Sequence, residues 1–215
     1  MSNIAGKSYA MNVVSPAPLR GIANRVIFWA ARNFLQSKFK GLLTLSLIHY
    51  ARWVIVKPKD FPNLGHGQPE EDVKYAYEMF FSNFNGSWDQ YIDSFSMSIA
   101  SGLDLFWFHN VNYPKSVPIE AFHRYIRANQ VQTDFYYNAY PLASSNDVKS
   151  AQRVLTTLTV LAGSAVHSTD DEFARAYNRA VLELQHDLSP MEKTPIVSLA
   201  NQAVDERDRI QEMAR

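Results

Sequence analysis

The sequence predicts an α+β fold: a ferredoxin-like βαββαβ sheet followed by a helical C-terminal extension. Three observations carry that expectation. Short runs rich in β-branched and aromatic residues recur at 10–15, 45–56, 73–84 and 103–109. Stretches of helical period at 19–39 and 87–102 fall between them, so the order is strand, helix, strand, strand, helix, strand. Beyond Pro141 the pattern is helical throughout. The expected units are therefore a sheet domain over 1–141 and a helical extension over 142–215 packed on it.

Each element has a local reason. Ala10 to Ser15 is a β-branched run closed by Pro16 and Pro18, which suits a strand entering a turn. In 19–39 the apolar residues Ile22, Val26, Trp29, Ala30 and Phe34 recur at helical spacing, and Gly41 would end the helix. From Leu45 to Val56, strict alternation puts His49 on the face of Trp53 and Ile55, and Arg52 on the opposite face. A loop follows with Pro58, Pro62, Gly65, Gly67 and Pro69, whose length and polarity suggest a mobile excursion.

After the strand to Phe84, Asn85-Gly86 signals a turn, and Ser87 to Gln90 reads as a capping box opening a helix. That helix carries Trp88, Tyr91, Ile92, Phe95 and Ile99 on one stripe and is expected to stop at Gly102, with 103–109 as the third strand of the unit. Residues 118–130 read as a helix and 133–140 as an extended segment. In 146–165 the stripe Val148, Ala151, Leu155, Leu158 and Ala162 predicts a buried helix face. Thr169 to Glu172 caps a helix with Phe173, Tyr177, Val181 and Leu184 inward, and Thr194-Pro195 starts a last one.

Composition excludes several classes. Hydrophobic residues at 47% and charged residues at 20% describe a globular chain and not a disordered one. Lys+Arg and Asp+Glu both number 21, so no net field draws in nucleic acid. Charge is unevenly spread: residues 1–60 hold nine Lys/Arg against Asp60 alone, and 61–110 hold seven acids against Lys74. Such segments can neutralise each other within one unit or between subunits. With no cysteine, disulfides, thiolate metal sites and a catalytic thiol are excluded. The N-terminal residues lack the apolar core of a signal peptide, and the stretch 42–56 is interrupted by His49 and Arg52 and too short to span a bilayer. The expectation is a cytoplasmic protein with no integral membrane segment.

Four segments carry a resemblance: 46–53 (Ser-Leu-Ile-His-Tyr-Ala-Arg-Trp), 81–91 (Phe-Ser-Asn-Phe-Asn-Gly-Ser-Trp-Asp-Gln-Tyr), Trp107 to Asn110, and Phe135 to Pro141. Together, over about residues 10–141, they resemble a largely uncharacterised bacterial group of the dimeric α+β barrel superfamily. That superfamily includes small monooxygenases, haem-degrading enzymes and, as fused pairs, dye-decolourising peroxidases. The resemblance implies two ferredoxin-like sheets packed face to face as a homo-oligomer around a cavity, with haem as one implied cofactor; it does not imply a reaction. The Gly-x-x-Asp-Gly motif of the peroxidases is absent, so no distal Asp is carried over.

The candidate site residues follow from type and position. His49 and His109 suit a base or a haem ligand, since imidazole titrates near neutrality; a hydrogen-bonded core histidine is the plainer reading. Arg52 suits a carboxylate clamp, or an ion pair with an acid such as Glu78. Asn83, Asn85, Trp88, Trp107 and Tyr137 are candidate ligand-binding residues, although a turn and a helix cap account for the 85–87 motif on their own. His66, alone between glycines, does not make a metal site. At 13% of residues, aromatics fit either a bulky core and interface or a pocket for a flat or apolar molecule. The two expected functions are a small-molecule-binding protein, which by the resemblance would be an oxidoreductase of peroxidase or monooxygenase type acting on an apolar or aromatic compound, and a non-catalytic oligomeric binding or assembly protein.

Overall fold

A computed structural model of the chain describes residues 3–18, 22–34, 47–62, 65, 67–69 and 72–188. Its strands are β1 (Ile4–Ala5), β2 (Ser8–Ala17), β3 (Ile48–Val56), β4 (Ala76–Phe84) and β5 (Gln130–Val131). Its helices are α1 (Ile22–Phe34), α2 (Trp88–Trp107), α3 (Ile119–Asn129), α4 (Ser145–Ala165) and α5 (Asp170–Leu184). The protein is α+β with one antiparallel sheet of order β1-β2-β4-β3, β5 also pairing with β2. That order is compatible with a ferredoxin-like sheet.

The closing strand is not the one the sequence suggests. Residues 103–107 are helical, because Leu103, Phe106 and Trp107 continue the buried stripe of Ile92, Phe95 and Ile99 at three- and four-residue steps. Burying those rings outweighs the roughly 1 kcal/mol that a mid-helix glycine costs, so α2 runs through Gly102. The irregularity falls instead at Ile99 (φ −140°, ψ 33°). The short β5, after α3, takes the place beside β2, pairing Asn12 with Val131 and Val13 with Gln130. Residues 133–140 form no strand; they run irregularly toward α4.

One face of the sheet is the core. Tyr9, Met11 and Val13 of β2 and Phe80 and Phe84 of β4 point into it, with Trp88, Tyr91, Phe95 and Trp107 of α2 and Phe122 and Ile126 of α3. Phe84 stacks on Tyr91 at 3.8 Å and on Tyr9 at 4.9 Å, and Trp53 of β3 packs on Phe80 at 4.6 Å. Each such ring contributes roughly 1.5–3 kcal/mol by burial. Much of the aromatic content is thus spent on packing. Helix α1 closes one flank, Phe28 stacking on Phe106 at 4.7 Å.

Helices α4 and α5 form a hairpin, each opened by a capping box, at Ser144 with Asp147 and at Thr169 with Glu172. The hairpin is tied to the sheet at the start of α4, through Lys7 to Asp147 at 3.2 Å and Ser145 N to Asn85 Oδ1 at 3.0 Å. The stripe Val148, Leu155 and Leu158 is exposed rather than buried, as are Tyr177 and Val181, whereas Leu184 is buried as expected. The expected start of the second long strand at Leu45, the stop at Gly41, His66 and the helix from Thr194 lie outside the described residues. Among the described residues, no helix is long and apolar enough to cross a membrane.

Candidate functional site

The second face of the sheet carries Tyr50, Arg52 and Val54 of β3 beside Phe81 and Asn83 of β4. A β-bulge between Ile48 and Tyr50 breaks the alternation, since Ile48 pairs with Phe84 and Tyr50 with the next residue, Asn83. His49 is the extra residue. It therefore does not join Trp53 in the core; it lines a cavity on the open face together with Tyr50, Asn83 and Ser8. The expectation that His49 and Arg52 take opposite faces is corrected by this bulge, which strict alternation cannot show.

The cavity has a volume of about 270 Å³. Its second wall is the irregular segment before α4, which contributes Tyr136, Tyr137, Asn138 and Tyr140. This wall is held by backbone and amide contacts: Lys7 N–H donates to Pro141 O at 2.8 Å, and Asn138 Nδ2 donates to Ala5 O at 3.1 Å and Ser8 Oγ at 3.2 Å. Gly6, at φ +64° in the turn between β1 and β2, permits that close approach, since a Cβ there would lie 2.0 Å from Pro141 O. Asn83 Nδ2 donates to the Tyr136 hydroxyl across the cavity.

The electrostatics favour neutral polar groups. Burial lowers the His49 pKa below the ordinary histidine value, and its hydrogen bond with the Asn85 side chain only partly opposes this. His49 thus keeps an imidazole lone pair at neutral pH. Burial also raises the Tyr136 pKa, with the hydrogen bond to Ser8 working against it, so its hydroxyl remains a donor. Ser8 Oγ and His49 Nε2 are 3.4 Å apart. A nucleophile and its base sit at about 2.6–3.2 Å, and Ser8 Oγ already accepts from Asn138. Ser8 is therefore a polar group of the cavity wall, set between His49 and Asn138.

Of the residues expected at a site, the structure brings together His49, Asn83 and Tyr137, the last 75% exposed at the rim. Asn85 lies beneath them, fully buried, donating to Lys7 O at 2.7 Å and accepting from Ser145 N. Arg52 is on the same face, its guanidinium 4.8 Å from the Phe81 ring centre. The ion pair considered with Glu78 does not form, because Glu78 faces the core beside Phe80. Trp88 and Trp107 also belong to the core: Trp88 Nε1 donates to Gln130 Oε1 at 2.6 Å, and Arg127 covers its ring at 3.8 Å. His109 lies in the turn after α2, where Val111 N–H donates to Pro16 O at 2.9 Å. Pro16 and Ser8 stand eight residues apart on β2, so His109 and His49 sit near opposite ends of the sheet, roughly 26 Å from each other along the strand.

Sequence reasoning missed Ser8, Tyr50, Tyr136 and Asn138. The run Phe135 to Pro141 was the available signal for the last two; read as a strand, it gave no reason to prefer Tyr136 over its neighbours. Among the described residues, no group of three or more His, Asp or Glu side chains could hold a metal ion.

No family model, no curated protein and no solved structure matches this chain.

Proposed function

We propose that the chain is a ferredoxin-like protein that binds a small, flat, apolar or aromatic molecule carrying one hydroxyl or carbonyl. The carrying observation is the bulge that turns His49 out of the core and into a cavity with Tyr50, Asn83 and Tyr136. Rings supply apolar area, and His49, Asn83 and Tyr136 supply orientation, which is how small-molecule sites are built. The strand order supports the ferredoxin-like assignment, with β5 closing the unit.

Haem, which the resemblance implies, fits poorly with the residues present. The cavity, at about 270 Å³, falls below the roughly 300–1,000 Å³ of sites for drug-sized ligands, and a macrocycle is larger than those. No step is routed through haem. A small phenol is matched in size and polarity.

The test is titration with 2-naphthol, followed by its own fluorescence and by calorimetry. Saturable one-to-one binding is expected. His49→Ala and Asn83→Ala should each weaken it about tenfold, the worth of one hydrogen bond of about 1–1.5 kcal/mol, and His109→Gln should leave it unchanged. Binding that is indifferent to both His49→Ala and Asn83→Ala, or no saturable binding, would sink the proposal. The second reading, an assembly protein, is favoured by the exposed stripe of α4.

A further inference from the structure

Helix α4 carries two stripes of helical spacing, and only one of them is covered. The first, through Ser150, half-buried Val154 and Thr157, and Leu161, is the buried side of α4, as Ala180 and Leu184 are of α5. The second runs one residue later, through Val148, Ala151, Leu155, Leu158, Ala162 and Ala165, all exposed. Its steps alternate three and four, the heptad spacing of a helix–helix seam. Leu155 is 68% exposed, Leu158 47% and Val166 78%. From Val154 to Val166 the helix and its cap contain no Asp, Glu, Lys or Arg, which a solvated helix face would carry.

On α5, Tyr177 and Val181 are likewise exposed, one residue beyond half-buried Ala176 and buried Ala180. The helices are antiparallel, as Ser150 and Arg153 near the start of α4 bind Asp187 just past the end of α5. In an antiparallel pair, the same one-residue offset turns both stripes to the same side. The hairpin therefore offers one continuous apolar face, of the kind that in globular chains marks an interface.

We propose that this face docks a second copy of the chain, α4 lying antiparallel to the partner's α4 about a two-fold axis near residues 156–157. The stripe itself selects that occupant, because it is symmetric about its midpoint. Antiparallel pairing sets Leu155 against the partner's Leu158, Ala151 against the partner's Ala162, and Val148 against the partner's Ala165. Large side chains meet at the centre and alanines on either side let the helices approach, so the surface is complementary to itself, as a two-fold interface must be. No like charges meet along it. The two hairpins then make a four-helix bundle. Val148 also lines the His49 cavity, so the partner's Val166 end arrives beside its mouth. The inference stands on the hairpin and is independent of what the cavity binds.

Sedimentation velocity of the full chain at micromolar concentration tests it, with far-UV circular dichroism as the check on folding. The wild type should sediment as a dimer and Leu155→Glu/Leu158→Glu as a monomer with unchanged helicity. Leu155→Glu/Leu158→Lys should regain the dimer, because each introduced acid then faces the partner's introduced lysine; in a parallel pair, like charges would meet. Since the chain has no cysteine, Ala151→Cys/Ala162→Cys provides a milder probe, expected to oxidise to a covalent dimer where Ala151→Cys alone does not. A monomeric wild type would overturn the proposal and point to residues 189–215 as the cover. So would a dimer that survives the double glutamate variant, a charge-swapped variant that stays monomeric, or cysteines that do not cross-link.

Discussion

Glu78→Gln should change how stability depends on pH, and the reason lies in the core. Glu78 is fully buried on β4, paired across the sheet with Ser15 and Ile55. Ser15 Oγ donates to the Glu78 backbone carbonyl at 3.3 Å, and Asn110 Nδ2 donates to Ser15 Oγ at 2.8 Å. Burial pushes the carboxyl pKa from 4.5 up to about 8, with the Asn110 hydrogen bond opposing the rise. The native state therefore holds a proton that the unfolded chain releases above 4.5, so stability is highest at low pH and falls as pH rises toward 8. At 1.36 kcal/mol per unit the whole window is worth on the order of 4–5 kcal/mol, about 3 kcal/mol of it by pH 7. Glutamine keeps the size and a donor but does not titrate. Urea unfolding followed by fluorescence of buried Trp88 and Trp107, at pH 5, 6, 7 and 8, provides the measurement. The variant should match the wild type at pH 5 and become progressively more stable than it above pH 6. A difference between the two that stays constant with pH would refute the reasoning, since every other titrating group is common to both.

Four further outcomes follow from the site. Asn85→Ala removes the hydrogen bonds to the Lys7 carbonyl and the Ser145 N–H, and should cost about 2–6 kcal/mol in denaturant unfolding, at about 1–3 kcal/mol for each bond lost. Gly6→Ala puts a methyl group where Pro141 O lies, at φ +64°; displacement of the cavity wall should abolish 2-naphthol binding and lower the melting temperature. If the neutral His49 imidazole accepts the ligand hydroxyl, affinity should hold at neutral pH and fall only as pH drops through its lowered pKa, a dependence that His49→Gln should remove in the same titration. Hemin titration should yield no stoichiometric Soret band; a saturable band lost in His49→Ala would overturn the size argument.

The sheet was legible because its strands obey local rules. The runs at 10–15, 45–56 and 73–84 have the composition of strands; β2 spans the first, and β3 and β4 fall within the other two, beginning at Ile48 and Ala76. The fourth strand was not legible, because aromatic residues at 103–109 satisfy both a strand and the end of a helical stripe. Propensity favoured the first, and burial of Leu103, Phe106 and Trp107 against the sheet decided for the second. The true closing strand, β5, is two residues long and leaves almost no pattern. At the site, one extra residue in β3 defeated parity: a bulge is invisible in alternation, yet it moves His49 from one face to the other. Asn83 was legible because the turn that follows it fixes its place; Ser8 was not, because its role depends on a segment about 130 residues away that folds across it.

These pieces meet at Asn85. Its side chain holds the backbone at Lys7, the first N–H of α4 at Ser145, and the imidazole of His49. A residue so placed could couple the three: a shift of α4 would move Ser145 and, through the Asn85 amide, reach His49. The cavity wall from Tyr136 to Tyr140 leads directly into α4, and Val148 on that helix lines the same cavity. Docking of a second hairpin along α4 would thus act on the two walls of the cavity at once, through Val148 directly and through Asn85 indirectly. The linkage is reciprocal in free energy: a molecule that binds better beside a docked α4 must tighten the docking by the same factor, and 2-naphthol should then shift the monomer–dimer equilibrium seen in sedimentation.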